Sequence, residues 1–172
     1  MNLSDDDFAL FDLPRQYAVM RADLDGRWRA LQAQVHPDRF AAEGAAAQRL
    51  AMQWAVRVNE AYGRLKDPIA RGAYLCSLAG VAVSGDSSTP MPPAFLMQQM
   101  EWREALDDAA DAAAVQALDD EVAAHEKTQL EQLRRELDET DDAAAAAHTV
   151  RGLMFVAKFR QDIDRRLETL DT

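Results

Sequence analysis

The chain has 172 residues, of which 48% are hydrophobic, and this is enough apolar surface for a folded core. Glycine (7) and proline (6) are scarce, and no long run alternates β-branched with polar residues, so the composition favours an all-α protein and disfavours a disordered chain. The net charge of −11 is uneven: residues 1–80 carry 10 acidic and 10 basic side chains, residues 81–172 carry 20 and 9. Such an acidic half argues against binding to nucleic acid or anionic membranes, and it suits a basic partner or a solvated surface.

The few cysteines and histidines argue against a disulfide framework or a metal site. The single cysteine, Cys76, is typical of a reducing compartment, and we expect it to be a small buried residue. His36, His125 and His148 are spread along the chain without ligand spacing. The acidic N-terminus does not resemble a secretory signal, and no apolar run reaches the roughly 18 residues of a membrane span. We therefore expect a soluble cytoplasmic protein with no metal or cofactor.

The first half of the chain has the pattern of a helical hairpin. A short apolar segment at residues 8–14 precedes a helix predicted over residues 21–36, which ends because Pro37 disfavours the α conformation of the residue before it. A second long helix is predicted over residues 45–66, and a short helix after it is stopped by Gly80. The apolar stripes comprise Leu24, Trp28, Leu31 and Val35 in the first helix and Leu50, Trp54, Val58, Ala61, Tyr62 and Leu65 in the second.

The two long helices are joined by a short loop, so we expect them to pack antiparallel, stripe against stripe. His36, Pro37 and Asp38 then lie at the exposed tip of the hairpin, where functional residues are common. Taken alone, this tripeptide fits a helix-stopping turn as well as it fits a binding loop. A His–Asp pair can serve in acid–base catalysis, but the sequence offers no serine or cysteine in the context of a nucleophile, so we do not expect an enzyme.

Further motifs at fixed separations relate this loop to a known family. The segment "LQAQVHPDRF" is followed by "VNEAYGRLKDPIARGAYL", and together they resemble the J-domain family, co-chaperones that stimulate the ATPase of DnaK-type heat-shock chaperones. The resemblance implies that His36, Pro37 and Asp38, with Arg39 beside them, engage the chaperone. It also implies that the chaperone, not this chain, hydrolyses ATP.

Family members usually present a basic face on the helix before the loop. Here the resemblance assigns that role to Arg27 and Arg29, while Ala33 and Gln34 stand where a basic residue would be expected. This departure suggests a dedicated partner chaperone. In the loop itself, Asp38 can form a charge-assisted hydrogen bond to an arginine of the partner.

The composition changes at "GVAVSGDSSTPMPP", residues 80–93, which contains three serines or threonines in a row and three prolines. Such a segment is typical of a linker. Because the helical pattern is strong on both sides, we expect two units. Residues 1–80 form the J-domain, residues 81–91 form the linker and turn, and residues 92–172 form a second helical unit.

The helix predicted over residues 92–110 has two apolar faces when its residues are placed about 100° apart. Phe95, Trp102 and Leu106 form one narrow stripe, which we assign to the core. A helix buried on two sides would have such a pattern, and so would a protein-binding patch with a methionine-containing centre and an acidic rim. The second face comprises Leu96, Met97, Met100, Glu101, Glu104 and Asp108.

Two further helices are predicted over residues 112–139 and 143–171, and with the preceding helix they make a three-helix bundle. Phe155 lies beyond the margin of the last helix's apolar stripe and could reach past the core. We expect His125 and His148 to be surface or boundary residues. The stripes comprise Val115, Leu118, Val122, Leu130, Leu133 and Leu137, and then Val150, Leu153, Val156, Ala157, Ile163, Leu167 and Leu170.

The whole arrangement resembles the HscB family, J-domain co-chaperones of bacterial iron–sulfur cluster assembly. The segments "AFLMQQMEWREALDD" and "TVRGLMF" carry the resemblance in the second half. It implies that the bundle binds an IscU-like scaffold protein and delivers it to an HscA-like chaperone of the DnaK type, and we expect a monomer. The alternative is a general J-domain protein whose bundle dimerises or binds unfolded clients. The resemblance assigns scaffold contact to Leu96, Met97, Met100, Glu101, Glu104, Asp108 and Phe155.

Overall fold

The computed structural model describes residues 2–83 and 91–170, and every regular element within them is helical, as predicted. The chain divides into two compact units, Met1–Leu75 and Cys76–Thr172. Most of the expected linker, residues 84–90, and residue 171, the last of the final predicted helix, lie outside the described residues. The helices are α1 (Asp7–Leu10), α2 (Arg21–Val35), a 3-10 helix (Pro37–Glu43), α3 (Ala45–Lys66), α4 (Pro68–Leu78), α5 (Pro93–Asp108), α6 (Ala112–Asp138) and α7 (Ala143–Leu170).

In the first unit, α2 and α3 form the expected hairpin. The rings of Trp28 and Tyr62 stack with centroids 4.5 Å apart, and the Trp28 indole donates a 3.0 Å hydrogen bond to the Asn59 side chain. One expectation was wrong, because Leu50 is 49% exposed. Ala51, about 100° further around the helix, takes the inward position instead. The buried core of the hairpin comprises Leu24, Val35, Ala51, Val58, Ala61 and Leu65.

The short helix α1 is held to the hairpin by Asp7, whose side chain is fully buried. Its Oδ2 accepts a 2.7 Å hydrogen bond from Arg64, and its Oδ1 lies 2.8 Å from Arg57 as an ion pair. The Asp7 backbone N–H donates to the Tyr74 hydroxyl. Burying a charge is costly unless it is paired, so the two guanidinium groups stabilise the position of α1.

In the second unit, α5, α6 and α7 pack as the predicted three-helix bundle. Asp111 caps α6 by accepting a 2.9 Å hydrogen bond from the Ala114 N–H. Arg160 of α7 pairs with Asp119 and Glu126 of α6 at 3.1 and 2.6 Å. None of the described helices combines the length and the apolar character that a membrane crossing requires. The core cluster comprises Trp102, Leu106, Ala109, Val115, Leu118, Val122, Val156, Phe159 and Ile163.

Candidate functional site

The tripeptide of the hairpin tip is ordered as a tight turn rather than a free loop. His36 ends α2 with an extended ψ of 126°, and Pro37 then occupies the first turn of the 3-10 helix, where its fixed φ is compatible and its missing N–H is not needed. The His36 Nδ1 accepts a 3.3 Å hydrogen bond from the Asp38 N–H. In the neutral ring, therefore, Nε2 carries the proton and is available as a donor.

Asp38 and Arg39 have different surroundings within this turn. The Asp38 side chain is 91% exposed, and its carboxylate lies 3.6 Å from the His36 Nδ1. The Arg39 guanidinium donates a 2.9 Å hydrogen bond to the Ala33 carbonyl, one of the last carbonyls of α2. Arg39 thus closes the turn by capping the helix, a position where a cation is also favoured by the helix dipole. The carboxylate of Asp38 remains open to a partner.

The structure does not bring Arg27 and Arg29 into one basic face. They are two positions apart on α2, so they point to different sides of the helix. The Arg27 guanidinium donates to the carbonyls of Phe11 and Asp12 at 2.9 and 2.6 Å, and it pairs with the Asp12 carboxylate at 3.0 Å. Asp12 has a φ of +52°, and these bonds hold that strained turn. Arg27 therefore has a structural role here, while Arg29 is exposed.

The helix α5 buries only one of its two apolar faces. Trp102 and Leu106 are buried in the bundle, as predicted, and the Trp102 indole donates a 2.9 Å hydrogen bond to Glu121. Phe95 is half-buried, and its ring lies against that of Phe155 with centroids 6.1 Å apart. The other apolar face, which contains Leu96, Met97 and Met100, is exposed, so α5 is not a helix buried on two sides.

The second face of α5 is an exposed apolar ridge with an acidic flank. Leu96 is 48% exposed, Met97 62% and Met100 72%, and Phe155 of α7, next to Phe95, is 46% exposed. Four exposed large apolar side chains on two adjoining helices call for an explanation that a single one would not need. We refer to Leu96, Met97, Met100 and Phe155 as the apolar ridge. Its acidic flank consists of the exposed residues Glu101, Glu104 and Asp108.

Two basic residues beside the ridge were missed by the sequence analysis. Arg103 and Lys158 line a small cavity of about 160 Å³ together with Gln99, Phe155 and Phe159. The signal was weak, because a single arginine and a single lysine on two different helices have no shared spacing in the sequence.

The two histidines of the bundle have different environments. His125 is half-buried with its ring edge against Trp102, and burial lowers the pKa of its imidazole despite the nearby Glu121. His148 is exposed, as expected for a surface residue, and its Nδ1 contacts the Arg151 guanidinium. Both line a cavity of about 390 Å³. Among residues 2–83 and 91–170, no three histidine, cysteine or carboxylate side chains are grouped so that they could hold a metal ion.

Known proteins are similar to this chain in sequence and in fold over most of their length. A family model described as the HSCB C-terminal oligomerisation domain matches residues 91–164. The "Co-chaperone protein HscB homolog" of Burkholderia multivorans is 50% identical, covering 100% of this chain and 99% of the relative. Among solved structures, "Chaperone HscB from Vibrio cholerae" has a TM-score of 0.85 at 38% identity, covering 96% of this chain and 99% of that one. The human co-chaperone protein HscB has a TM-score of 0.92 at 27% identity, covering 100% of this chain and 86% of that one.

Proposed function

The chain belongs to the HscB co-chaperone family, and from this premise we propose that it binds an IscU-like iron–sulfur scaffold protein, delivers it to an HscA-like chaperone and stimulates that chaperone's ATPase. The fold is that of the family, an N-terminal J-domain followed by a C-terminal helical bundle. In the proposed division, residues 1–80 engage the chaperone, residues 81–91 are the linker and turn, and residues 92–172 bind the scaffold. The cycle takes place in the bacterial cytoplasm and needs no cofactor of its own.

The exposed apolar ridge carries the scaffold-binding part of the proposal. A water-exposed cluster of leucine, two methionines and phenylalanine lowers solubility, and a protein partner that covers it gains the free energy of burying that surface. The methionines adapt to the shape of a partner because their side chains are unbranched and flexible. The acidic flank favours a scaffold surface with basic side chains around an apolar centre.

The turn at His36, Pro37 and Asp38 carries the chaperone-stimulating part. Pro37 limits the conformations of the turn before binding, so less entropy is lost when the complex forms. The exposed Asp38 carboxylate is placed to accept a charge-assisted hydrogen bond from an arginine of the chaperone. The chain contributes binding energy to the chaperone's active conformation and performs no bond-breaking step itself.

Substitution of His36→Gln tests this assignment. The change removes the imidazole that accepts the Asp38 N–H, while the exposed position should leave the fold unchanged. We expect loss of ATPase stimulation, measured with the purified HscA-like chaperone, and unchanged scaffold affinity, measured by calorimetry. If stimulation were retained, the role assigned to His36 would be wrong. If both activities were lost while the circular dichroism spectrum stayed normal, separate sites for the two partners would be excluded.

A second function is favoured by the wording of the family model, which describes an oligomerisation domain. In that case the apolar ridge would join two copies of this chain, and the protein would be a general J-domain protein. We propose a monomer, which sedimentation at micromolar concentration tests. A stable dimer that dissociates in the Leu96→Ala variant would support the second function instead.

A further inference from the structure

The flank of the apolar ridge that faces α7 is basic, although residues 81–172 as a whole carry 20 acidic and 9 basic side chains. Arg103 of α5 and Lys158 of α7 line the small cavity beside Phe155. The Arg103 guanidinium lies over the ring of Phe159, 5.8 Å from its centroid, and its side chain is still 61% exposed. The cavity therefore combines aromatic walls with cations that face solvent.

Asp162 neutralises only part of this charge. It pairs with Arg103 at 3.2 Å and also with Arg165, so one carboxylate serves two guanidinium groups. Burial raises the pKa of the Asp162 carboxyl, but the hydrogen bonds from Arg165 and Arg103 outweigh it and hold the pKa below its usual value. Lys158 makes no ion pair with any of the described residues. Asp107, an exposed carboxylate one turn along α5 from Arg103, adds a second negative charge, so three cations face two carboxylates and a small excess of positive charge remains.

Charges of opposite sign thus lie on either side of Leu96 in the apolar ridge. With residues about 100° apart on α5, Arg103 lies about 20° to one side of Leu96, and Glu104 lies about 80° to the other side. Electrostatic attraction to such a surface depends on orientation, because a partner docked the wrong way round would place like charges together.

From this arrangement we infer that Arg103 and Lys158 form a cationic subsite that receives an acidic side chain of the scaffold protein, while the acidic flank faces basic ones. The inference rests on the proposed function and adds the chemistry and orientation of the partner. The exposed Phe155 would pack against the aliphatic part of a glutamate or aspartate, and the two cations would bind its carboxylate. The volume of about 160 Å³ suits one side chain, since small-molecule sites are typically about 300–1,000 Å³. A polyanion is disfavoured by the carboxylates across the ridge.

The test is calorimetry and stopped-flow binding of the full-length chain to the purified, cluster-free IscU-like scaffold. We expect Lys158→Glu to raise Kd about tenfold at an ionic strength of about 0.01 M, mainly by slowing association, and this difference should shrink at about 0.15 M. The matched control is Lys127→Glu, which makes the same charge change at an exposed lysine of α6 outside the cavity. It should bind as the wild type does. Arg103→Met, which keeps an apolar stem over Phe159, should weaken binding in the same salt-dependent way.

The outcomes separate this inference from the proposed function. If the wild-type chain does not bind the scaffold, the proposed function fails. If the wild type binds and Leu96→Ala weakens binding, but Lys158→Glu binds as tightly as Lys127→Glu, the cationic subsite is refuted while the proposed function stands. Single acidic-to-lysine changes on the scaffold can then be tested against Lys158→Glu. A change that restores binding to Lys158→Glu, but not to Leu96→Ala, would identify the carboxylate that the subsite receives.

Discussion

Simultaneous substitution of Leu96→Ala and Phe155→Ala should weaken scaffold binding far more than it weakens the fold. Complete burial of a leucine or phenylalanine side chain contributes about 1.5–3 kcal/mol, and these two are 48% and 46% exposed, so about half of that remains to be gained from a partner. The two residues together therefore contribute about 1.5–3 kcal/mol to binding. A loss of this size raises Kd by roughly 10- to 150-fold.

The loss of folding free energy should be smaller and has an identifiable origin. Phe155 packs against Phe95, and an aromatic pair of this kind is worth about 0.5–1.5 kcal/mol beyond area burial. Leu106→Ala is the matched control on the same helix, because Leu106 is buried in the core and its truncation should cost about 2–5 kcal/mol. Urea unfolding followed by circular dichroism measures stability, and calorimetry with the scaffold measures affinity. The reasoning is refuted if the double variant loses as much stability as Leu106→Ala or binds the scaffold with wild-type affinity.

Two further predictions concern a buried carboxylate and a half-buried histidine. Asp7→Asn leaves Arg57 and Arg64 without their shared carboxylate. Because both guanidinium groups are partly exposed, the free energy of unfolding in urea titrations should fall by about 1–3 kcal/mol. A fall well below about 1 kcal/mol would show that solvent replaces the ion pairs. Burial lowers the pKa of His125, so the unfolded chain binds more protons than the folded one as the pH drops below the unfolded value of about 6.5. Stability from this residue should be complete above that pH and decline below it, and a His125→Gln variant, followed by urea unfolding across the same pH range, should lack this part of the decline.

The local pattern of the sequence was enough to predict the long helices and the turn, although not the short helix α1 or the 3-10 helix. The backbone hydrogen bond of a helix joins residues four apart, so periodicity and a single proline fix where such an element begins and ends. The helix predicted over residues 45–66 is observed as Ala45–Lys66, and Pro37 ends α2 as predicted. The two faces of α5 follow from the same spacing, which is why the apolar ridge could be recognised before any tertiary structure was known. Its role in binding the scaffold remains a prediction.

The tertiary structure decided which residues are covered and which are already bonded. Arg27 was expected on a basic face, but its guanidinium is bonded to the turn at Phe11 and Asp12, fifteen or more residues away in the chain. Arg103 and Lys158 lie on different helices, and only the packing of α5 on α7 places them beside one cavity. A helical period determines the direction of a side chain relative to its own helix, whereas its neighbours depend on contacts between distant segments. For this protein, local spacing therefore predicted the apolar faces of the helices. Long-range packing determined which charged side chains lie beside them and which are already bonded elsewhere.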